Sequence, residues 1–447
     1  MKNLTIYQST GDHDLFVQKE IEEVRVSTPS SDSTVTVTVN IEETFQEIDG
    51  FGASFTDSAA YLIHQILDEN DRTDLMEKLF HPEKGIGLSV LRNPMGSSDY
   101  AREMYSYNDL PDGEMDFSLS HFSIAHDLDD IVPLVQNALQ LNPSIKLMAS
   151  PWSAPAWMKT SNSMIGGELK EECYSVYADY FVNYIKAYGE EGLPIYAITP
   201  QNEPLFVPGH YPGMLMTAER QADFIKNYLK PRFIENGLDT KILCYDHNWD
   251  RPDYPLHVID DVGDAVDGVA WHWYGGRPVA QHQVHKVYPE KEVHFTEGSG
   301  GEWIPAFEPA FSNVMRTGIE IMRNDSKSFV LWNMALDEEN GPSVPGFGKS
   351  TCRGVVTVEQ KTKKLIYTLD YYALAHFSKF VQPQAVRIGS TSTEDIRTVA
   401  FKNTDDSIVT VLFNDSEEEQ SIELKQDNDE IIHFTLGSKC AMTLLTN

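Results

Sequence analysis

Apolar and polar positions follow different patterns in the outer and middle parts of the chain. In Val24-Arg25-Val26-Ser27 and again in residues 34–39 they alternate one by one, which is the period of a half-buried strand. From residue 386 onward the same alternation recurs in six short runs separated by Asp, Asn, Ser and Gly. This pattern predicts an antiparallel β-sandwich. The N-terminal strands are expected to join it, because a lone hairpin is only marginally stable.

The middle of the chain contains short apolar runs, each followed by a longer segment with helical spacing. In residues 177–192 and 218–237 the apolar side chains recur at i, i+3, i+4 and i+7, and both segments end in Gly. Eight runs alternating with helices predict a parallel (β/α)8 barrel, an α/β fold. The runs span residues 47–55, 86–96, 144–152, 195–204, 241–246, 266–274, 292–298 and 328–336.

The alternative fold is a doubly wound open sheet. Such a sheet would be expected to carry a G-x-G-x-x-G turn after its first strand, and residues 50–54, GFGAS, lack that spacing. The barrel prediction therefore divides the chain into three parts. Residues 1–45 supply N-terminal strands of the sandwich, residues 46–385 form the catalytic barrel, and residues 386–447 complete the sandwich.

The charge balance narrows the expected partners. The chain has 35 Lys and Arg against 68 Asp and Glu, a formal net charge of −33. Nucleic acids and anionic membranes bind through basic patches, so neither is an expected partner, whereas a neutral carbohydrate is indifferent to this charge. We find no apolar run long enough for a signal peptide or a membrane span and expect a cytoplasmic location. No protein partner is evident, and the four cysteines match no metal or disulfide spacing.

Two carboxylates stand out because catalytic side chains of such barrels project from the C-terminal ends of the strands. Glu203 ends the fourth apolar run and Glu297 ends the seventh. These ends face each other across a barrel mouth, and a facing pair of carboxylates is the arrangement that cleaves a glycosidic bond. A separation of about 5 to 5.5 Å gives retention of configuration and about 6.5 to 9.5 Å gives inversion, so the residues alone leave both outcomes open.

The residues beside these two carboxylates indicate which is the acid/base and which is the nucleophile. Asn202 offers an amide that could bind a sugar 2-hydroxyl, which favours Glu203 as the general acid/base. Arg92, at the end of the second run, is expected to reach Glu297 and to keep it ionised, as a nucleophile must be.

Other polar and aromatic residues at strand ends or in loops are candidates for binding a sugar. Aromatic rings can stack on the apolar face of a pyranose, and Asp99 could accept hydrogen bonds from two hydroxyls of a terminal sugar. His272 is expected to bond to the catalytic carboxylates; a metallohydrolase using it with Asp246 and His247 is the alternative. The aromatic candidates are Trp152, Trp332, Tyr274 and Tyr211.

Eight ordered segments resemble glycoside hydrolase family 30, in particular its glucosylceramidase branch, and the likeness runs from about residue 45 to the C-terminus. The resemblance implies a barrel with a side sandwich made from both termini and a retaining mechanism without metal or organic cofactor. It implies that Glu203 in QNEP is the acid/base and that Glu297 in HFTEG is the nucleophile. The segments are IDGFGASFTDSAA, IGLSVLRNPMGSSDY, LMASPWSAPAWMKT, ITPQNEP, AWHWYGG, HFTEGSGG, LWNMALDEENGP and YYALAHFSKFVQP.

The resemblance also implies roles for the residues around the pair. Asp99, Trp152, Asn202 and Trp332 match sugar-binding positions of the terminal subsite. The residues that match a network around the carboxylates are Arg92, His272 and Tyr274, and Tyr211 in GHYP is similar to a tyrosine at the mouth. The loop of residues 339–354 departs from the family because it has no counterpart for an asparagine that the glucosylceramidases place there, which bears on the leaving group that is accepted.

These observations predict an exo-acting retaining β-glucosidase that hydrolyses small β-glucosides. The alternatives on the same scaffold are a β-xylosidase, a β-1,6-glucanase and a glucosylceramidase. A sugar-binding protein without catalysis is a further alternative, but it would be expected to have lost a carboxylate or Asn202, and all three residues are present.

Overall fold

The computed structural model describes residues 4–10, 14–20, 34–301, 310–426 and 430–447. Its strands form a closed barrel, a nine-stranded sheet and a small three-stranded sheet. The described strands are β1 (Leu4–Thr10), β2 (Val17–Lys19), β3 (Thr34–Glu47), β4 (Gly50–Ser54), β5 (Val90–Pro94), β6 (Lys146–Ser150), β7 (Ile195–Ile198), β8 (Lys241–Asn248), β9 (Gly268–His272), β10 (Glu292–Glu297), β11 (Ser328–Asn333), β12 (Ala335–Leu336), β13 (Val356–Val358), β14 (Leu365–Tyr367), β15 (Val386–Ser390), β16 (Ile396–Lys402), β17 (Ile408–Asn414), β18 (Gln420–Gln426), β19 (Glu430–Leu436) and β20 (Cys440–Thr446).

Strands β4 to β11 close into a parallel barrel in chain order, with β11 paired to β4. Each of the eight predicted apolar runs overlaps one barrel strand, which confirms the barrel. The runs are apolar because helices cover the outside of a parallel barrel and side chains fill its inside. The inner layer is lined by Val90, Met148, Ala197, Leu243, Ala270 and Val330.

Helices follow most barrel strands, and both predicted helical segments are present. Residues 177–192 lie largely within the helix Tyr174–Glu190. Residues 218–237 form two helices joined by a wider π-helical turn, Ile225–Leu229, just before Pro231, whose ring nitrogen has no hydrogen to donate. The α-helices are Asp57–Tyr61, Glu69–Phe80, Ala125–Asp129, Ile131–Leu141, Tyr174–Glu190, Ala218–Phe224, Lys230–Glu235, Asp253–Val262, Val279–Val287, Ala310–Arg323 and Leu369–Ser378.

The nine-stranded sheet combines both ends of the chain, as predicted. Its order is β19-β18-β3-β15-β16-β17-β20-β1-β2. Strand β3 joins its two halves: residues 34–38 pair with β18, and residues 39–47 pair with β15. The β3–β18 pair is parallel, which differs from the all-antiparallel arrangement predicted, because β3 reaches β18 through the whole barrel rather than through a hairpin. The alternating residues 24–27 lie outside the described part of the chain.

Apolar side chains from both halves of the sheet pack into one core, which gives this domain the two-layered character of a sandwich. Among the described helices, none is long and apolar enough to cross a bilayer. All four cysteines are buried and free. The core of the sandwich contains Ile6, Val37, Val39, Ile388, Ile396, Ala400, Leu412, Ile422, Leu424, Phe434, Leu436, Cys440, Met442 and Leu444.

Candidate active site

A cavity of about 400 Å³ opens at the C-terminal end of the barrel. Eight of the ten residues predicted for the site line this cavity. The other two contact its carboxylates: Arg92 bonds to Glu297, and His272 bonds to Glu203. The structure therefore brings all ten together. The lining residues are Asp99, Trp152, Asn202, Glu203, Phe206, Tyr211, His247, Asn248, Tyr274, Glu297, Trp332, Phe347 and Cys352.

Asp246 is the centre of the hydrogen-bond network beneath the cavity. One of its oxygens accepts from Arg92 Nη2 at 2.7 Å and the other from His272 Nε2 at 2.9 Å. Burial favours the neutral form, but Arg92 and His272 outweigh it and hold the pKa of Asp246 well below its usual range. The carboxylate is thus a fixed negative charge that orients two cations. Hydroxyl groups of Ser150, Thr199 and Thr296 also donate to it.

A local distortion of β8 places Asp246 at this centre. Tyr245 and Asp246 have φ values of 73° and 66°, and the register with β9 shifts between Tyr245 and His247. A bulge of this kind re-aims a side chain and is common beside active sites. Because of it, both Asp246 and His247 contribute to the site although they are adjacent in a strand.

Glu203 lies further from its strand than the sequence predicted. Strand β7 ends at Ile198, and Glu203 stands in the following turn with a φ of 45°. Two backbone hydrogen bonds fix this turn, from Glu203 N to the carbonyl of Asp246 at 3.0 Å and from Asn202 N to the carbonyl of Pro151 at 2.9 Å. A left-handed conformation at a non-glycine residue costs about 1 to 3 kcal/mol and needs such support.

Glu297 is the last residue of β10 and both of its oxygens accept hydrogen bonds. Arg92 Nη1 donates to Oε2 at 2.8 Å, and the Tyr274 hydroxyl donates to Oε1 at 2.9 Å. Arg92 Nη2 also donates to Asn202 Oδ1 at 2.8 Å, so the amide nitrogen of Asn202 is the group that can donate to a ligand. Burial and repulsion from Glu203 raise the pKa of Glu297, while His272 and Arg92 oppose the rise.

Two histidines contact Glu203. His272 Nδ1 lies 3.1 Å from Oε1, and His247 Nε2 lies 3.7 Å from the same oxygen. Burial disfavours the charged form of His272, but Glu297 and Asp246 raise its pKa to about 9, so it is a cation that donates from both nitrogens. Burial lowers the pKa of His247, which is therefore neutral at neutral pH.

The two carboxylates are close together. One oxygen of Glu203, one oxygen of Glu297 and one nitrogen of His272 lie within 4.8 Å of one another. The ring nitrogens of His272 in this cluster already bond to Glu203 and Asp246. In the alternative cluster with Asp246 and His247, both oxygens of Asp246 accept hydrogen bonds from Arg92 and His272.

The deep end of the cavity combines one carboxyl group with two stacked indoles. Asp99 is half-buried, its buried Oδ1 makes no hydrogen bond with described residues, and desolvation and Glu297 raise its pKa well above the usual range. The rings of Trp152 and Trp332 stack at 4.8 Å and 18°, and the Arg92 guanidinium lies 5.1 Å from the Trp152 ring. An unpaired polar group beside flat apolar rings suits a sugar, which offers hydroxyls at its rim and an apolar face.

Several functional residues were missed by the sequence analysis. Asp246 was considered only as a metal ligand, although it stands at the end of the fifth apolar run, where the strand-end rule would have found it. Phe206, Phe347 and Cys352 lie in loops that carry no periodic signal.

Fold and site together define a glycoside hydrolase, and comparison with known proteins agrees. Residues 48–381 match the glycosyl hydrolase family 30 TIM-barrel domain and residues 384–444 match the family 30 β-sandwich domain. The chain belongs to glycoside hydrolase family 30, whose members named below are hydrolases of O-glycosyl bonds. It therefore acts on carbohydrate.

Relatives within the family have two kinds of name. The chain is 33% identical to an endo-1,6-β-D-glucanase of Aspergillus fumigatus over 86% of this chain and 82% of that protein. It is 30% identical to the lysosomal acid glucosylceramidase of Mus musculus over 86% of this chain and 78% of that protein. The solved structure of an endo-β1,6-glucanase superposes with a TM-score of 0.86, at 32% identity and 99% coverage of both chains.

Proposed function

We propose that the protein is a retaining endo-1,6-β-glucanase with Glu203 as acid/base and Glu297 as nucleophile. The single observation that supports a retaining reaction is that one carboxylate oxygen of Glu203 lies within 4.8 Å of one of Glu297. Retaining glycosidases separate their carboxyl groups by about 5 to 5.5 Å, which leaves no room for the water that inverting enzymes need. The linkage follows the endo-1,6-β-glucanase relatives, which favour this alternative over the exo-acting β-glucosidase expected from the sequence.

The reaction has two steps. In the first, a carboxylate oxygen of Glu297 bonds to the anomeric carbon, the bond from that carbon to the leaving oxygen breaks, and Glu203 gives that oxygen its proton. In the second, Glu203 takes a proton from water, the water oxygen bonds to the anomeric carbon, and Glu297 leaves as a carboxylate. Two inversions restore the β-configuration.

The division of roles rests on the neighbours of each carboxylate rather than on their pKa shifts. The pKa of Glu203 is lowered because His247 and His272 outweigh burial, and the pKa of Glu297 is raised by burial and by Glu203. The neutral ring of His247 no longer attracts Glu203 at neutral pH, whereas the cation of His272 still favours its ionised form. Glu297 keeps the Arg92 guanidinium at 2.8 Å at every relevant pH. The pair titrates as a unit, and its one proton belongs on Glu203 when the site is ready to react.

The remaining residues hold the sugar whose anomeric carbon reacts. The amide nitrogen of Asn202 donates to a 2-hydroxyl, a contact that strengthens in the transition state. Asp99 accepts from hydroxyls at the deep end, and the apolar face of the ring lies against Trp152 or Trp332. Tyr274 holds Glu297 during the first step and can release it when the covalent bond forms.

A glucosylceramidase is the second candidate. The relatives named glucosylceramidase favour it, and so do two exposed apolar side chains at the mouth, Phe206 and Val207. Both candidates use the same reaction; they differ in the leaving group, and an endo-acting glucanase must also accommodate a further glucosyl residue on the non-reducing side of the reacting sugar.

A substrate panel tests the proposal. The protein is incubated with linear β-1,6-glucan, β-1,3-glucan, β-1,4-glucan, glucosylceramide, and nitrophenyl β-glucoside and β-xyloside. We expect the β-1,6-glucan to be cut fastest and to give gentio-oligosaccharides of mixed length early in the reaction. Release of glucose alone would return the assignment to an exo-β-glucosidase, and faster cleavage of glucosylceramide or the β-xyloside would return it to the corresponding alternative. Loss of all activity in EDTA would favour a metallohydrolase.

A further inference from the structure

Four aromatic side chains surround the mouth of the cavity; we refer to Phe206, His210, Tyr211 and Phe347 as the aromatic rim. Tyr211 and Phe347 meet at 5.3 Å and 67°, His210 lies 5.2 Å from Tyr211 and 5.6 Å from Phe347, and Phe206 lies 6.5 Å from Tyr211. Phe206 is 47% exposed although it lines the cavity. Together the four rings form a contiguous patch at the cavity, and a contiguous apolar patch is the kind of exposed surface that marks a binding site.

The aromatic rim is connected to the turn that carries Glu203. Phe206 N donates to the carbonyl of Glu203 at 2.8 Å, so Phe206 belongs to the same turn as the acid/base. Trp152 and Trp332, only 4% and 2% exposed, belong to a buried cluster against which Tyr211 and Phe347 pack. A general acid must contact the leaving oxygen, so the group attached to that oxygen has to lie beside this turn.

Backbone hydrogen bonds and one buried ammonium group hold the loop that carries three residues of the rim. The Lys159 ammonium donates to the carbonyls of Met164 and Gly213, at 2.7 and 2.8 Å. Gly213 N donates to Met164 O at 3.0 Å, and Met216 N donates to Pro204 O at 2.8 Å. The rim is therefore preorganised, which reduces the entropy lost when a ligand binds.

The loop of residues 339–354, which departs from the family pattern, supplies the fourth member. Val344 N donates to the carbonyl of Asp99 at 3.0 Å, and Phe347 N donates to the carbonyl of Val344 at 3.1 Å. Tyr100 packs its ring 5.7 Å from that of Phe347 and bonds through its hydroxyl to Ser350. The loop thus brings Phe347 into contact with Tyr211 at the cavity.

We propose that the aromatic rim is the leaving-group subsite and that it stacks on one glucosyl ring of a β-1,6-linked chain. The inference rests on the proposed function and adds the residues that select the leaving group. A 1,6-linkage contains the exocyclic C5–C6 bond, which lets the leaving sugar turn its flat apolar face toward a ring wall. His210, Tyr211, His247 and Asn248 place polar atoms beside these rings, as a sugar requires and an alkyl chain does not.

Two substrates separate the rim from the catalytic centre. Gentiobiose has a glucosyl leaving group, whereas β-glucosyl fluoride has no ring on that side and reports only on Glu203, Glu297 and the deep end. We expect Phe206→Ala and Phe347→Ala each to lower kcat/KM for gentiobiose relative to β-glucosyl fluoride by about threefold to tenfold. Phe206→Trp, which restores a flat ring, should recover most of the lost ratio.

A matched control is available in Phe117. This side chain is 52% exposed and packs edge-on against Trp157 at 5.5 Å, and it lies outside the cavity lining defined by the described residues. In Phe117→Ala the ratio of kcat/KM for gentiobiose to kcat/KM for β-glucosyl fluoride should equal that of the parent protein.

Each outcome has a distinct meaning. If the parent protein cleaves gentiobiose and both rim variants keep its ratio, the subsite assignment is wrong while the proposed function stands. If the parent protein cleaves no 1,6-linked substrate, the proposed function itself fails. If the rim variants lose turnover of glucosylceramide but not of gentiobiose, the rim binds a lipid chain and the assignment to a sugar is overturned.

Discussion

The deep end of the cavity and its mouth are built from different interactions. At the deep end Arg92, Asp246, His272 and Glu297 bind one another through hydrogen bonds of 2.7 to 2.9 Å, with almost no exposure to solvent. At the mouth the aromatic rim makes ring contacts of 5.2 to 6.5 Å, and Phe206 is half exposed. The buried charged network holds the catalytic carboxylates in fixed positions, whereas the partly exposed rings of the rim can accommodate different leaving groups.

The two regions are therefore expected to have different effects on catalysis, the deep end on the reaction itself and the mouth on substrate selectivity. Changes at the deep end should alter turnover for every substrate, because all substrates pass through the same transition state. Changes at the mouth should alter the ranking of substrates. Substitutions in the two regions test this contrast, and the largest effects are expected at the deep end.

Glu297→Gln should have the largest effect. The amide keeps the shape of the side chain but cannot form the glycosyl-enzyme bond, so kcat should fall by about 10⁴-fold or more for all substrates. Steady-state kinetics on linear β-1,6-glucan and on an activated aryl glucoside would measure this. The exposed Glu290 provides a control as Glu290→Gln. Retention of more than a few per cent of activity in Glu297→Gln would rule out Glu297 as nucleophile.

Glu203→Ala should separate substrates by their leaving groups. A glucosyl leaving group needs a proton from the acid, whereas a dinitrophenolate leaves without one, so kcat/KM should fall about 10²- to 10⁴-fold for gentiobiose and much less for 2,4-dinitrophenyl β-glucoside. The two substrates are compared on the same preparation. An equal loss on both would contradict the role of Glu203 as acid.

Asp246→Asn should weaken both turnover and folding. The amide removes the charge that pairs with Arg92 and His272, which leaves two buried cations short of a partner. We expect the free energy of unfolding to fall by about 3 to 5 kcal/mol, together with a loss of turnover. Chemical denaturation measures the first and initial rates the second, with exposed Asp129→Asn as the control. Unchanged stability would show that the network is not held by this carboxylate.

His272 should make the deep end sensitive to alkaline pH. Folding raises its pKa to about 9, above the value near 6.5 of an unfolded chain, so its stabilisation is complete below about pH 6.5 and is lost as the pH rises through about 9. The change corresponds to about 3 kcal/mol at most.

The pH dependence of the parent protein alone does not isolate His272. Burial lowers the pKa of Lys159 to about 7, so above that pH this lysine makes the free energy of unfolding rise with pH, opposite to the effect of His272. The variant His272→Gln removes only the contribution of His272. The free energy of unfolding of the parent protein minus that of the variant should decrease between pH 6.5 and 9. A difference that stays constant over this range would contradict the charged state assigned to His272.

Lys159→Met should have the smallest effect and should act at the mouth. It leaves the carbonyls of Met164 and Gly213 without their ammonium donor and loosens the loop that carries Tyr211. We expect KM for gentio-oligosaccharides to rise by about threefold, with kcat for β-glucosyl fluoride affected less. A fall in kcat that is equal for both substrates would mean that Lys159 supports the catalytic centre instead.

The sequence predicted the barrel and most of the deep end for a clear physical reason. Barrel strands are buried on both sides, so each leaves an apolar run, and the polar residues directly after a run lie at one end of the barrel. Glu297 is a strand-terminal residue of this kind. Arg92 was expected to reach it, and the structure shows that contact.

The features that were not predicted depend on local backbone geometry, which leaves no periodic pattern of apolar residues in the sequence. The bulge in β8 that turns Asp246 inward, and the turn that carries Glu203 five residues beyond Ile198, cannot be derived from apolar spacing. Phe347 reaches the mouth through a loop that is held by a hydrogen bond from Val344 N to the carbonyl of Asp99, and the pairing of β3 with β18 joins segments nearly four hundred residues apart.

The most direct test of the account is the anomeric form of the sugar first released from linear β-1,6-glucan, followed by proton NMR before mutarotation. Carboxylates within 4.8 Å predict that the new reducing end appears as the β-anomer and only later equilibrates. Initial appearance of the α-anomer would contradict the double displacement on Glu297 and with it the roles assigned to both carboxylates.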